Sequence, residues 1–283
     1  MPIENISDTA RWVAVYRAME TARPDAIFRD PFAEKLAGER GHQILDEMPQ
    51  GRASAWPMIV RTALFDEIVL EAVQGRQADL VVNLAAGLDA RPWRLPLPPS
   101  LRWVDVDLPG ILNYKTESLR NEKPVCHYEA VTVDLKDRPA RQKLFAQIGE
   151  GASRAIVLTE GLLVYLPPEE VASLAADLHA QPGFQYWVTD LASPKLIKRM
   201  TRIWGKKLAE GGSPFLFGPP EGTEFFRPSG WRETQFRSTW EEARRLNRRM
   251  KGAGFWDLVA RLSPKKVRED MHRFAGTVLL ERV

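Results

Sequence analysis

The chain of 283 residues carries 40 basic and 37 acidic side chains, is 44% hydrophobic and 27% charged, and contains one cysteine. That length can bury the core of one large α/β domain, and the composition is that of a globular protein rather than a disordered one. Cys126 on its own excludes an intrachain disulfide and a cysteine-based zinc cluster. No apolar run reaches membrane-spanning length and the first residues lack a basic or apolar leader, so a cytoplasmic protein without membrane contact is expected.

In chain order, Trp12, Val13, Val15, Tyr16 and Met19 fall near helical spacing after Ser7-Asp8, two residues suited to N-capping. They predict a helix over about 6–21, broken by Arg23-Pro24. A second, short helix follows Asp30-Pro31. A third spans about 56–74, with Ile59, Ala63, Ile68 and Val69 as its buried stripe. Because these helices precede the first core strand, residues 1–75 are expected to cap the ligand end of a single domain covering 1–283.

From Asp79 onward strands and helices alternate. The strands are read at 80–85, 103–107, 125–133, 155–159 and 186–191, and the helices at 110–120, 138–147 and 168–179. The last helix opens on Pro167-Pro168 with Glu169 and Glu170 in its first turn. Such alternation predicts an α/β fold with a doubly wound, mostly parallel sheet. Long helices and the apolar loop 211–220 are expected between 195 and 254, so 192–254 is read as a substrate lid. Phe255–Ala260 and Gly276–Val283 are expected to pair as a terminal hairpin-like excursion. The basic clusters at 195–207, 244–251 and 261–273 are interrupted by acids and apolar residues, as on solvated helices, and a nucleic-acid partner is not expected.

The chemistry concentrates in Val81-Val82-Asn83-Leu84-Ala85-Ala86-Gly87-Leu88-Asp89, a buried strand ending in a small-residue turn. A second strand, Val104-Asp105-Val106-Asp107, ends in acid. Asp107 lies 20 positions beyond Gly87 (107 − 87), the spacing that brings an acid to a ribose in a βαβ nucleotide fold, where a carboxylate can accept from both ring hydroxyls. A pyrophosphate would want G-x-G-x-x-G at the turn. The turn here has one glycine, and Asp89 stands where phosphate charge would lie. A pyrophosphate is therefore disfavoured, and S-adenosyl-L-methionine, an adenosine without phosphates, fits better.

With Leu158-Thr159-Glu160-Gly161-Leu162-Leu163-Val164-Tyr165-Leu166 downstream, Val106-Asp107-Leu108-Pro109 in the middle, and Thr9-Ala10-Arg11, Arg17-Ala18 and Asp30-Pro31-Phe32-Ala33 near the start, the chain resembles the leucine carboxyl methyltransferase family. Phe225-Phe226-Arg227-Pro228-Ser229-Gly230-Trp231 adds weaker support. The resemblance implies a Rossmann-like methyltransferase sheet with an antiparallel last strand and S-adenosyl-L-methionine as cofactor. Ala86, Gly87 and Leu108 are expected to bind the cofactor beside Asp107, and the resemblance implies Asp134 with the Leu135 backbone at the adenine. Glu160 falls at the methyl-donor end, and Arg11 and Arg61 at the methionine carboxylate. The family usually has glycine where this chain has Ala85, so the loop is expected slightly farther from the methionine moiety.

Each assignment has a plainer rival. Asp134 can instead cap the helix before Arg138, and Arg11 can be an ordinary surface arginine. Tyr165 can orient an acceptor or simply pack as a core aromatic. Asp89 is read as structural, holding its turn or pairing with Arg91. A lone buried Glu160 would be costly, so a bound cation is expected to face it. None of His42, His127, His179 and His272 lies in a strand-end motif or at metal-ligand spacing, so no metal is expected. A carboxylate acceptor, from a small molecule or a peptide, needs no general base. The competing readings are a hydroxyl-directed O-methyltransferase, a nicotinamide-dependent oxidoreductase, and a cofactor-binding module without catalysis.

Overall fold

A computed structural model describes residues 6–250, 252, 254 and 263–283. Its centre is a seven-stranded sheet in the order β3-β2-β1-β4-β5-β7-β6. The strands are β1 (Leu80–Leu84), β2 (Arg102–Asp107), β3 (His127–Thr132), β4 (Ala155–Thr159), β5 (Phe184–Ala192), β6 (Trp231–Ser238) and β7 (Ala275–Arg282). β1 to β5 pair in parallel, while β7 runs antiparallel between β5 and β6. The expected mostly parallel sheet with an antiparallel last strand is thus present.

The continuous apolar run of β1 follows from burial on both faces. Leu80, Val82 and Leu84 join a core with Phe145, Leu174 and Trp187, whereas Val81 joins another with Phe65, Val69 and Trp103. Each such side chain contributes roughly 1.5–3 kcal/mol by leaving water. The helices that cover these faces include α3 (Ala55–Leu70), α6 (Arg138–Gly149) and α7 (Pro168–His179). Asp137, rather than the Asp134 suggested by the sequence, caps α6 by accepting from the Ala140 amide at 3.1 Å. The other helices among the described residues are α1 (Ile6–Thr21), α2 (Ala33–Glu47), α4 (Arg91–Arg94), α5 (Pro109–Ser118), α8 (Pro194–Glu210), α9 (Thr239–Arg245) and α10 (Lys265–His272).

A cap made by α1 and α2 stacks Trp12, Val15 and Tyr16 on Leu36, Ile44 and Leu45 in its own core. Asp8 lies inside α1 and pairs with Arg40 at 3.2 Å instead of capping the helix. The second helix is longer than expected and is broken at Gly38, whose φ of 58° an L side chain rarely adopts.

The region 195–254 departs most from the sequence reading. Among the described residues only α8 is long; it is followed by a 3-10 turn at Gly222–Ser229, the strand β6 and the short α9. β6 escapes a periodicity search because it is an edge strand with a register shift between Glu233 and Gln235. The expected hairpin partner of the last strand, Phe255–Ala260, lies outside the described residues; β7 pairs instead with β5 and β6. Among the described residues no helix is long and apolar enough to cross a membrane.

Candidate active site

Strand order reverses between β1 and β4, and in open α/β sheets ligands bind outside the carboxyl ends of the strands at such a point. The ends of β1, β2, β4 and β5 open there into a cavity of about 460 Å³, with residues of α1, α3 and α8 along its other walls. That volume suits a small-molecule site.

At one end Asp107 closes β2. Its two carboxylate oxygens accept from the Gly87 amide at 2.6 Å and the Leu108 amide at 2.7 Å. Each oxygen keeps a further lone pair. Burial lifts this carboxyl above the ordinary aspartate range, against the pull of those two amides. Ala85, the position where glycine was expected, has φ of +52°, and Gly87 has φ of +50°. An alanine there is held in the left-handed region at a cost of roughly 1–2 kcal/mol. A side chain at 87 would also press on Ala10, 3.1 Å from the position of its Cβ.

Asp89 is structural, as expected. It accepts from the Arg91 amide at 2.8 Å, from Asn83 at 3.0 Å and from the Arg91 guanidinium at 2.6 Å. Burial would raise its carboxyl, but Arg91 and then Lys115 overcome that and hold it at about 2. Beneath this turn Lys115 is fully buried against Asp105 at 2.5 Å and also donates to the Asp89 carbonyl. Asp134 and Leu135 line the cavity next to Asp107 and Leu108. The exposed Asp134 carboxylate accepts from the Lys136 amide at 2.9 Å, holding its own turn.

The middle of the cavity is a charged chain. Arg61 on α3 donates to Glu160 at 3.1 Å and to Asp190 at 3.3 Å. The second Glu160 oxygen lies 2.9 Å from Arg91, which also pairs with Asp66 at 2.6 Å. Asp66 in turn holds Arg94. Glu160 is therefore not the lone carboxylate that the sequence suggested: two arginines of the chain already balance it, and no external cation is required. Asp190, at the end of β5, also accepts from the Gly161 amide at 2.6 Å. Gly161 has φ of +66°, and a Cβ there would sit 3.1 Å from the Arg61 guanidinium.

Arg11 is the sequence candidate that the fold puts elsewhere. Its guanidinium lies 3.7 Å above the Tyr114 ring, and the residue is not part of the cavity wall. Arg17, one turn and a half further along α1, lines the wall instead, tied to Asp30 at 2.8 Å and to the Leu88 carbonyl at 2.6 Å. The sequence reading also missed Asp190, Asp66, Arg94 and Lys115. Only Asp190 had a visible signal, an acid near the carboxyl end of a predicted strand.

The far end is apolar. Trp12, Val13 and Tyr16 face it from α1, Leu196, Met200 and Trp204 from α8, and Phe215 and Phe217 from the loop that follows. Tyr165 stands at the border, stacked on Phe215 with ring centroids 5.7 Å apart. Burial pushes its phenol up to about 12, with Arg61 drawing it part of the way back. None of the four histidines lines the cavity.

The sequence model of the leucine carboxyl methyltransferase family matches residues 10–179, more than half of the chain. The protein belongs to that family. A protein from Mycolicibacterium gilvum, named provisionally as an S-adenosyl-L-methionine-dependent methyltransferase, is 37% identical over 58% of this chain and 59% of its own. One from Streptomyces coelicolor with the same provisional name is 36% identical over 61% and 64%. The chain thus spans a little under two thirds of these relatives, while a Mycobacterium avium relative is matched over 83% of its length at 29% identity. Among solved structures, a DUF574 family protein from Streptomyces avermitilis superposes with a TM-score of 0.62 over 97% of each chain at 12% identity. A provisionally named methyltransferase from Thermobifida fusca gives 0.62 over 100% of this chain and 96% of its own at 14% identity, so both speak for the fold alone.

Proposed function

We propose that this protein is an S-adenosyl-L-methionine-dependent O-methyltransferase that methylates a carboxylate of a small molecule or peptide. The family membership supports the transferase class, and the strand-end turn supports the cofactor. The Gly87 amide, which a phosphate loop would aim at its ligand, is spent on Asp107, and the Asp89 carboxylate stands beside it. That arrangement repels a pyrophosphate and suits an uncharged ribose. Asp107 would take the ribose hydroxyls through its remaining lone pairs, Asp134 and Leu135 would border the adenine, and Arg61 would meet the methionine carboxylate. Glu160 and Asp190 orient Arg61 for that contact. The cofactor, when bound, supplies a methyl group already activated by its sulfonium.

The residues around that group have little to do but align the acceptor and exclude water. The observation that carries the carboxylate reading is the lack of a base among the described residues of the cavity wall. No histidine lines the cavity, the Tyr165 phenol is pushed up to about 12, and Asp89, Glu160 and Asp190 are all engaged by arginines or amides. An acceptor that is already anionic near neutral pH needs none. The cavity stays open between cap and lid, which favours an enzyme over a module that has lost its substrate site.

The test is incubation with methyl-labelled S-adenosyl-L-methionine and a metabolite extract, followed by alkali. A methyl ester releases labelled methanol on alkaline hydrolysis and a methyl ether does not. Alkali-stable label would move the assignment to the hydroxyl-directed reaction. Calorimetric binding of NAD in preference to S-adenosyl-L-methionine would remove the methyltransferase reading altogether.

A further inference from the structure

The acceptor end of the cavity carries information about the acceptor. Two of its aromatic side chains turn their polar atoms away from it. Tyr16 donates its hydroxyl to the Gly51 carbonyl at 2.6 Å, and Trp204 donates its indole N–H to the Pro49 carbonyl at 2.8 Å. The chamber therefore receives rings and not donors from these residues. Trp12 stands edge-on to Trp204 with centroids 5.7 Å apart, and Met58 and Met200 add polarizable thioethers, which pack well against aromatic edges.

The same contacts fasten the lid. Both carbonyls belong to the short loop between α2 and α3, and the Lys207 ammonium reaches the Glu47 carbonyl beside it. Leu208 is fully buried in the cap core. Gly51 has no room to change, since a Cβ would lie 2.3 Å from the Leu45 carbonyl. Cap and lid are thus tied together beside the Trp204 end of the chamber. At the opposite side of the chamber Tyr165 joins the Phe215 ring to the charged chain around Arg61. An occupant meets flat apolar walls at one end and charge at the other.

Building on the carboxylate reading, we propose that the acceptor is a compact acid with an aromatic body, held by the Trp12, Trp204 and Phe215 rings, and not the C-terminus of a peptide. Unsatisfied hydrogen-bonding groups on the body would be penalised beside Tyr16 and Trp204, which offer rings in place of partners.

The full chain is assayed with S-adenosyl-L-methionine and three probes: 2-naphthoate, hexanoate and a hexapeptide ending in a free leucine carboxylate. The expected kcat/KM for naphthoate exceeds that for either other probe by tenfold or more. Trp204→Ala should lower it about tenfold through KM, with cofactor affinity measured by calorimetry within twofold of the parent. Trp204→Phe keeps a ring and should recover most of the loss, although the fastening to Pro49 is gone. Met200→Ala leaves that fastening intact and should also weaken naphthoate. Preference for the hexapeptide or hexanoate, or no methylation of naphthoate while the cofactor binds, overturns the aromatic-acid inference and leaves the methyltransferase reading standing. Failure to bind the cofactor at all overturns both.

Discussion

The two ends of the cavity are built on opposite physical plans. The strand-end half holds an array of buried charges paired within the chain: Asp66 with Arg91 and Arg94, Asp89 with Arg91, Glu160 with Arg61 and Arg91. The half walled by α1 and α8 is a set of rings, of which Tyr16 and Trp204 bond their polar atoms elsewhere. Buried ions tolerate the loss of a partner badly, because the remaining charge stays desolvated, whereas a ring removed from a cavity wall only enlarges a space open to ligand. The arginine-paired carboxylates should therefore report on stability and the aromatic wall on affinity.

Arg91→Ala is the strongest challenge to that division. The side chain is 3% exposed and faces three carboxylates, and its removal should cost about 3–5 kcal/mol of folding stability by chemical denaturation. Trp204→Ala, on α8, should cost far less in the same assay. Comparable losses in the two variants would break the comparison. Next in size, Asp107→Ala should weaken S-adenosyl-L-methionine by roughly 1–3 kcal/mol in calorimetry while the variant stays folded, since polar partners are left unpaired. Unchanged affinity would withdraw the ribose assignment.

Acid sharpens the same point. Asp89 is held at about 2 in the folded protein against 3.8 ordinarily. A depressed carboxylate contributes stability above its unfolded value and loses it as the pH falls through the folded one. That contribution, on the order of 2 kcal/mol, should disappear between about pH 4 and pH 2, and Asp89→Asn should flatten this part of the stability profile. An unaltered acid slope would mean that the Arg91 and Lys115 field is weaker than the geometry implies. The smallest effect is expected at Ala85. Ala85→Gly removes the penalty of φ +52° but adds chain entropy to the unfolded state, so a net gain of about 0.5–1 kcal/mol is expected in denaturant titration. A loss would show that the alanine methyl makes a contact worth more than the strain.

Much of this organisation was legible before any coordinates. β1 and β4 announce themselves because strands buried on both faces have no polar alternation to obscure them. Asp107 was findable because the path from a strand-end turn through one crossover to the next strand end has a nearly constant length. Asp89 and Arg91 are neighbours in sequence, so their pairing follows from the turn alone. Ala85 was marked by its place in the loop, and its positive φ gives that mark a physical meaning.

What the sequence could not state is which residues far apart along the chain share a charge. Glu160 looked solitary because Arg61 and Arg91 lie 99 and 69 positions away (160 − 61 and 160 − 91). Arg11 and Arg17 sit on one helix and differ only in the face they present, which packing against Tyr114 or Leu88 decides. The polar edge strand β6 has no pattern of its own and acquires its conformation from hydrogen bonds to β7. Local periodicity and turn chemistry determine the elements and the strand-end acids, since both act over a few residues. Only the tertiary structure decides the partners of buried charges and the shape of the cavity, because desolvation and cavity walls are properties of the assembled fold.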